Sequence, residues 1–274
     1  MPEGDTVYRA TARLHRALAG EILLASDFRV PALATVDVAG YTVREVIPRG
    51  KHLLMRLQPP ATANPAFAQP ALTLHSHLLM EGRWDLYAPG ERWKRPAHTA
   101  RVVLETANAK AVGFEIAQVK LLPTEQESEV VGHLGPDLLG PDWDAQRALD
   151  NLRADPQLGI GQALLDQRIM AGVGNVYRSE ILFLRRVHPL TAVGEVAGLP
   201  ALIELAHRLL VVNKDRSRRV TTGQPRTRDP LWVYGRASKP CLRCGTRIGL
   251  LRIPSASTGA ERDCYLCPSC QPSA

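Results

Sequence analysis

Five cysteines lie within the last 34 of 274 residues, and four of them fall into the pairs Cys241-x-x-Cys244 and Cys267-x-x-Cys270. No other feature constrains the fold as much, because two such pairs can close a tetrahedral thiolate site around one structural zinc ion. With no coordination position left open, the metal would hold a two-stranded ribbon rather than catalyse. Cys264 is left over, and Cys264 with Cys267 is a rival second pair. Pro268 restricts Cys267 to extended backbone, which suits the start of a knuckle and favours the first assignment. A disulfide framework would be spread over a small secreted domain, whereas these thiols crowd one end of a long chain. Arg262 precedes Cys267 by five residues and would ride on the ribbon; an ordinary exposed arginine is the plain alternative.

The rest of the chain is long enough for more than one core, since domains cluster at about 100 to 150 residues. Asp5 or Thr6 can cap a helix in which Val7, Ala10, Leu14, Ala17 and Leu18 recur at helical spacing, and Gly20 stops it. Strand-like runs follow at Tyr41 to Ile47, His52 to Leu57, Leu72 to Leu78, Ala100 to Leu104 and Val112 to Leu121. Pro59 to Pro65 reads as a mobile loop. Beyond a linker at residues 125 to 135 the pattern becomes helical, over Trp143 to Ala154, Ile160 to Gln167, Val176 to Arg186 and Leu199 to Val212. The expected architecture is an α+β multidomain chain: an all-β domain with a leading helix over 1–130, a helical domain over 131–236 and the zinc ribbon over 237–274.

The net charge of +7 is local: from Arg208 onward thirteen Lys or Arg face four Asp or Glu, so the remainder is close to neutral. Such a footprint suits a polyanion. No run of some 18 apolar residues and no secretory signal occurs, so no membrane partner is expected and the cytosol is the expected compartment.

Several residues have the chemistry for work on a nucleic acid. If Met1 is removed, Pro2 offers a secondary amine at a helix N-terminus, with a pKa of about 7.7 to 8.0 for an ordinary α-amine, and Glu3 beside it can carry protons. A secondary amine condensing with an aldehydic carbon gives a charged iminium, an electron sink that promotes elimination. Taken alone, Met-Pro-Glu is also a common start. Lys51 sits in a turn between two strands, where it can reach a phosphate or remain a solvated hairpin lysine. Gly172-Val173-Gly174-Asn175 puts two glycines and an amide before a helix, where backbone N–H groups bind a phosphate or merely cap a turn. Met80 falls at a strand end, as an apolar wedge for a base stack or a core residue. The histidines, His52, His75 and His77 among them, read as strand residues without a role.

Together, Pro2-Glu3-Gly4, Arg49-Gly50-Lys51, Ser76-His77, Gly172 to Tyr177 and Arg262-x4-Cys267-Pro-Ser-Cys270-Gln271 resemble the formamidopyrimidine-DNA glycosylase and endonuclease VIII family, in family order and over nearly the whole chain. The resemblance implies an N-terminal β-sandwich, a helix-two-turn-helix domain and a C-terminal zinc finger. It implies a bifunctional DNA glycosylase and abasic-site lyase of base excision repair, acting as a monomer on damaged duplex DNA in the bacterial cytosol or nucleoid, without a small-molecule cofactor. Pro2 would attack C1′ of a flipped nucleotide, with Glu3 moving protons and Lys51 reaching a phosphate or leaving oxygen. Asn175 and Arg262 would clamp phosphates, and Met80 would fill the gap in the stack. The Pro-Glu-Gly start and the short stretch from Thr221 to Arg236 resemble the endonuclease VIII branch, which implies oxidised pyrimidines rather than 8-oxoguanine. Asp5-Thr6 departs from the Pro-Glu pair often found there, and Gly113-Phe114-Glu115 departs from the other branch's arginine-bearing loop. A zinc-ribbon reader of damaged DNA without turnover is the rival, and so is an 8-oxoguanine or formamidopyrimidine glycosylase.

Overall fold

The computed structural model describes residues 2–61, 69–224, 228–255 and 259–273. Most of the expected proline-rich loop, part of the Thr221 to Arg236 stretch and the centre of the finger loop at Ser255 to Gly259 fall outside these. The chain forms two compact units, one of Pro2 with Thr6–His133 and one of Glu3–Asp5 with Leu134 onward. Among the described residues no helix is long and apolar enough to cross a membrane.

The first unit is built on two four-stranded antiparallel sheets. One runs β2 (Thr42–Arg49), β3 (His52–Gln58), β4 (Leu72–His77), β8 (Gln118–Pro123), and the other β1 (Ala25–Phe28), β6 (Ala100–Glu105), β7 (Lys110–Phe114), β5 (Arg83–Tyr87). Alternation turns Val43, Leu53, Met55 and Leu74 of one sheet and Phe28, Trp84, Val102 and Leu104 of the other into a shared core. Val7, Leu14 and Leu18 of helix α1 (Gly4–Leu18) join it. Each such side chain contributes about 1.5 to 3 kcal/mol relative to exposure.

Two sequence expectations need correction here. The run Val112 to Leu121 is two strands in different sheets, because Glu115 at φ 52° turns the chain between β7 and β8. Helix α1 starts at Gly4, so Asp5 lies in its first turn and does not cap it. Strands β1 and β5 had no apolar run long enough to announce them; β5 buries only Trp84 and Tyr87. As expected, Gly20 follows the helix with φ 83°.

The histidines cluster. His52 and His77 are register partners across β3 and β4, and the ring centroids of His75, His77 and His133 lie 5.1, 4.8 and 6.2 Å from that of His52. A nitrogen of His52 stands 2.8 Å from one of His75, whose other ring nitrogen is buried without a partner. Burial, then the neighbouring rings and the Lys51 ammonium, lowers His52 to about 3. Burial, then Lys120, lowers His75 to about 4, and burial, then Lys51, lowers His77 to about 4.

The second unit contains helices α3 (Ala145–Arg153), α4 (Ile160–Ala163), α5 (Asn175–Arg185) and α6 (Leu199–Asn213) and the antiparallel ribbon β9 (Gly249–Pro254) with β10 (Glu261–Leu266). Helix α2 (Ser128–Val131) belongs to the first unit. Asp144 caps α3 by accepting the Arg147 N–H at 2.9 Å. The helix expected over Ile160 to Gln167 ends at Ala163. Beyond it Gln167 bonds the Gly172 N–H and the Leu165 and Val173 carbonyls, and Asp166 bonds the Arg168 N–H; these local bonds replace the helical ladder. Ile253 and Cys264 of the ribbon pack into the helical core with Tyr177 and Ile181, so the helices of the second unit and the ribbon share one core.

The histidine cluster predicts a pH dependence. Above about pH 6.5 folded and unfolded chains both keep His52, His75 and His77 neutral; below it the unfolded chain takes up protons at these three that the folded chain refuses, so stability falls toward pH 4. The thermal midpoint should drop over that interval, and His75→Leu should flatten the profile. An equally steep fall in that variant would assign the dependence to other groups.

Candidate active site and metal centre

Helix α5 is buried from Asn175 to Phe183, an unusual position for a segment carrying Asn175, Arg178, Ser179 and Glu180. Arg178, Ser179 and Glu180 each hold hydrogen-bond partners along it. Its N-terminus follows Gly172, at φ 118°, and the extended Gly174, and no side chain of its own caps it. The acceptor arrives instead from Glu3. Oε2 accepts the N–H of Gly174 at 2.9 Å and of Tyr177 at 3.3 Å, and Oε1 accepts that of Val176 at 2.7 Å. The amides that the sequence offers to a phosphate are therefore taken by the chain's own carboxylate, which also meets the positive end of the helix.

Glycines make this approach possible. A Cβ on Gly174 would stand 2.5 Å from Cδ of Glu3, and one on Gly4 would stand 3.0 Å from Cα of Gly172. Gly4 donates its N–H to the Gly172 carbonyl at 2.9 Å. Two residues after Glu3, the buried Asp5 accepts the Tyr177 hydroxyl at 2.9 Å and two Arg219 N–H groups at 2.7 and 2.5 Å. The Arg219 guanidinium also lies over the Tyr177 ring, 4.9 Å from its centroid. Burial opposes the charge on Arg219, yet Glu3 and Asp5 outweigh it and hold the group above its ordinary value. Burial, reinforced by Asp5, pushes the Tyr177 hydroxyl up.

Farther along α5, Arg178 donates to the carbonyls of Gly161, Arg262 and Asp263, so the helix grips the ribbon main chain. Glu180 accepts the Thr221 hydroxyl and the N–H groups of Trp232, Val233 and Tyr234, which brings Thr221 beside Trp232. Burial pushes Glu180 up, and those four donors work against it.

The remaining expected site residues distribute as follows. Asn175 is the first residue of α5 and is buried, whereas the Arg262 side chain is exposed on β10. In the first unit Pro2 is half-buried, and Lys51 follows Gly50, at φ 58°, in the turn from β2 to β3, where its charge acts on His52 and His77. Met80 is half exposed, as is Leu79, because the turn from β4 to β5 places Leu79 at φ 50° and closes with the Gly82 N–H on the Leu78 carbonyl. A core position for Met80 is thereby ruled out.

The sulfurs of Cys241, Cys244, Cys267 and Cys270 all lie within 4.8 Å of one another, with Cys244 at 3.5 Å from both Cys267 and Cys270. Tetrahedral coordination at about 2.3 Å per Zn–S bond requires sulfur separations of about 3.8 Å, so the donor set fits such an ion. The Arg243 N–H donates to the Cys241 sulfur at 3.4 Å. Cys264 is fully buried, with the Ser179 hydroxyl 3.9 Å from its sulfur; it belongs to the helical core, not to the metal site.

The formamidopyrimidine-DNA glycosylase N-terminal domain matches residues 1–118, and the H2TH domain of the same glycosylases matches residues 134–206. The chain is 54% identical to the probable endonuclease 8 2 of Streptomyces coelicolor, over 99% of this chain and 94% of that protein. It is 44% identical to the DNA-(apurinic or apyrimidinic site) lyase Nei2 of Mycolicibacterium smegmatis, over 99% of each. The chain belongs to the formamidopyrimidine-DNA glycosylase and endonuclease VIII family. Its fold agrees: MutM in complex with DNA containing carbocyclic 8-oxo-G superposes with a TM-score of 0.78 at 22% identity, covering 99% of this chain and 100% of that one. Lactococcus lactis Fpg bound to abasic-site DNA gives 0.77 with the same coverage.

Tyr177, Glu180 and Arg219 carry no signal of their own in the sequence: Tyr177 and Glu180 fall within the helix expected over Val176 to Arg186, and Arg219 is one of the thirteen Lys or Arg from Arg208 onward. The departure of Asp5-Thr6 from the family's Pro-Glu pair is the one hint at this arrangement.

The seat for Glu3 can be tested with one methyl group. Gly174→Ala leaves an extended backbone that alanine adopts freely, but its Cβ displaces the Glu3 carboxylate. Base release and strand cleavage should fall by about 10²-fold, the scale expected for a misplaced catalytic group, with metal content unchanged. Full activity in that variant would show that the seat is dispensable.

Proposed function

We infer that this chain is a bifunctional DNA glycosylase and abasic-site lyase of base excision repair, acting on oxidised pyrimidines through the Pro2 amine. The observation that carries the reading is the seat built for Glu3: a carboxylate fixed by three backbone amides, directly after the residue whose amine becomes terminal when Met1 is removed. In the reaction the Pro2 nitrogen attacks C1′ and the base departs with a proton. Opening of the sugar ring leaves an iminium between Pro2 and C1′, which acidifies C2′–H. Removal of that proton expels the 3′ phosphate and cuts the strand. Glu3 supplies and accepts protons at the sugar; Lys51, Asn175 and Arg262 bind phosphates, and Met80, held outward by its turn, fills the space vacated by the flipped nucleotide.

The pyrimidine preference is supported by the shortness of the Thr221 to Arg236 stretch, which leaves little chain for a long capping loop; Thr221 and Trp232 both bond the Glu180 carboxylate. The ion we assign to the four cysteines is zinc, by donor set and sulfur spacing; when bound it neutralises the thiolates and cross-links the finger, and takes no part in the sugar chemistry. The chain works as a monomer in the bacterial cytosol or nucleoid.

Borohydride trapping on a duplex with one oxidised pyrimidine tests the nucleophile: the mature chain should form a covalent adduct that peptide mapping places on the Pro2 nitrogen, and Pro2→Gly, whose terminal amine is primary, should trap more slowly. An adduct mapped to any other residue would move the nucleophile elsewhere, and DNA binding without any adduct would favour a non-catalytic reader. Chelation should release one zinc per chain and weaken duplex binding, with a shallower salt dependence as phosphate contacts are lost. Unchanged affinity after metal removal would separate the finger from DNA binding.

A further inference from the structure

Between Asp5 and Arg219 lies an ion pair with no part in the reaction as described. Both side chains are buried, 3% and 14% exposed, and they are 214 residues apart in sequence. The guanidinium grips both carboxylate oxygens, the geometry in which arginine gives orientation as well as charge. The Tyr177 hydroxyl donates to the same carboxylate, and the Tyr177 main-chain N–H donates to Glu3. Glu3, Tyr177, Asp5 and Arg219 therefore form one connected network, and Arg219 stacks on the ring at its centre.

A chain terminus is ordinarily the least ordered part of a domain. Here the three residues after Pro2 are held at three points: Glu3 by the amides of α5, Gly4 by the Gly172 carbonyl and Asp5 by Arg219 and Tyr177. The first two use the backbone of the Gly172 to Tyr177 segment. Only the third uses a side chain from the distant segment leading into Thr221.

We propose that Arg219 is a positioning residue for the nucleophile: by clamping Asp5 it fixes the turn that presents the Pro2 amine and the Glu3 carboxylate to C1′. This rests on the assignment of Pro2 above. Because Arg219 acts through Asp5 and not on the sugar, its loss slows bond-making and leaves DNA binding intact.

The experiment measures single-turnover cleavage of an abasic-site duplex, borohydride trapping, and affinity for a duplex carrying an uncleavable tetrahydrofuran abasic analogue. Arg219→Gln should lower the cleavage and trapping rates by about 10²-fold, the cost of a small misplacement, with tetrahydrofuran-duplex affinity unchanged. Arg219→Lys, which keeps the charge without the two-pronged grip, should recover only part of the rate. Asp5→Asn should match Arg219→Gln, and the double variant, which leaves no unpaired charge, should be no slower than either single one. Thermal unfolding of the double variant controls for folding. Undiminished trapping by Arg219→Gln, affinity that falls in step with the rate, or additive losses in the double variant would each overturn the proposal. If the unaltered chain forms no adduct at all, the assignment of Pro2 has failed instead.

Discussion

A carboxylate three residues from one end of the chain completes the N-terminus of a helix that starts at residue 175. The rest of the site depends on this contact, because helix α5 otherwise begins with unpaired amides in a buried location, at a cost of a few kcal/mol. Glu3 satisfies them, and in doing so is itself placed to within the tolerance of a hydrogen bond. Helix stability and the placement of the Glu3 carboxylate become the same requirement. Gly174, one of the two glycines that read as a phosphate cradle, is needed for a related reason: it lets a carboxylate of the protein come as close as a phosphate would.

Along α5 the same economy continues. Arg178 reads the carbonyls of the ribbon, Ser179 bonds the Tyr265 N–H, and Glu180 gathers the ends of the Thr221 to Trp232 stretch. A helix with an apolar face alone would pack against its neighbours without fixing their register along its axis. One with a buried polar group at successive positions does fix it, since each unpaired donor or acceptor would carry a desolvation cost.

What could be read from the sequence was whatever is encoded by spacing along the chain. The cysteine pairs named the finger, helical periodicity gave α1, α3 and α6 nearly to their ends, and the ordered motifs gave the family. What could not be read depended on partners far apart in sequence. The end of α4 is set by Gln167 and Asp166 turning back on the main chain; the break between β7 and β8 is set by one residue, Glu115, in the left-handed region. The histidines carried no periodic signal distinguishing four clustered rings from four isolated ones, and only the β3–β4 register brings His52 beside His77. Asp5 was visible as a departure from the usual pattern, but its partner 214 residues away was not.

The tethering of the terminus also has a consequence in time. Synthesis runs from the N-terminus at about 5 to 20 residues per second, so the acceptor seat for Glu3 does not emerge until residue 177 has been made, and Arg219 follows later still. For that interval Glu3, Gly4 and Asp5 lack the partners that hold them in the folded chain. Once the last third of the chain folds, these residues become fixed. A nascent or truncated chain thus carries Glu3 without the amides that seat it, and the tether of the first residues is complete only when the segment through Arg219 has been made and folded.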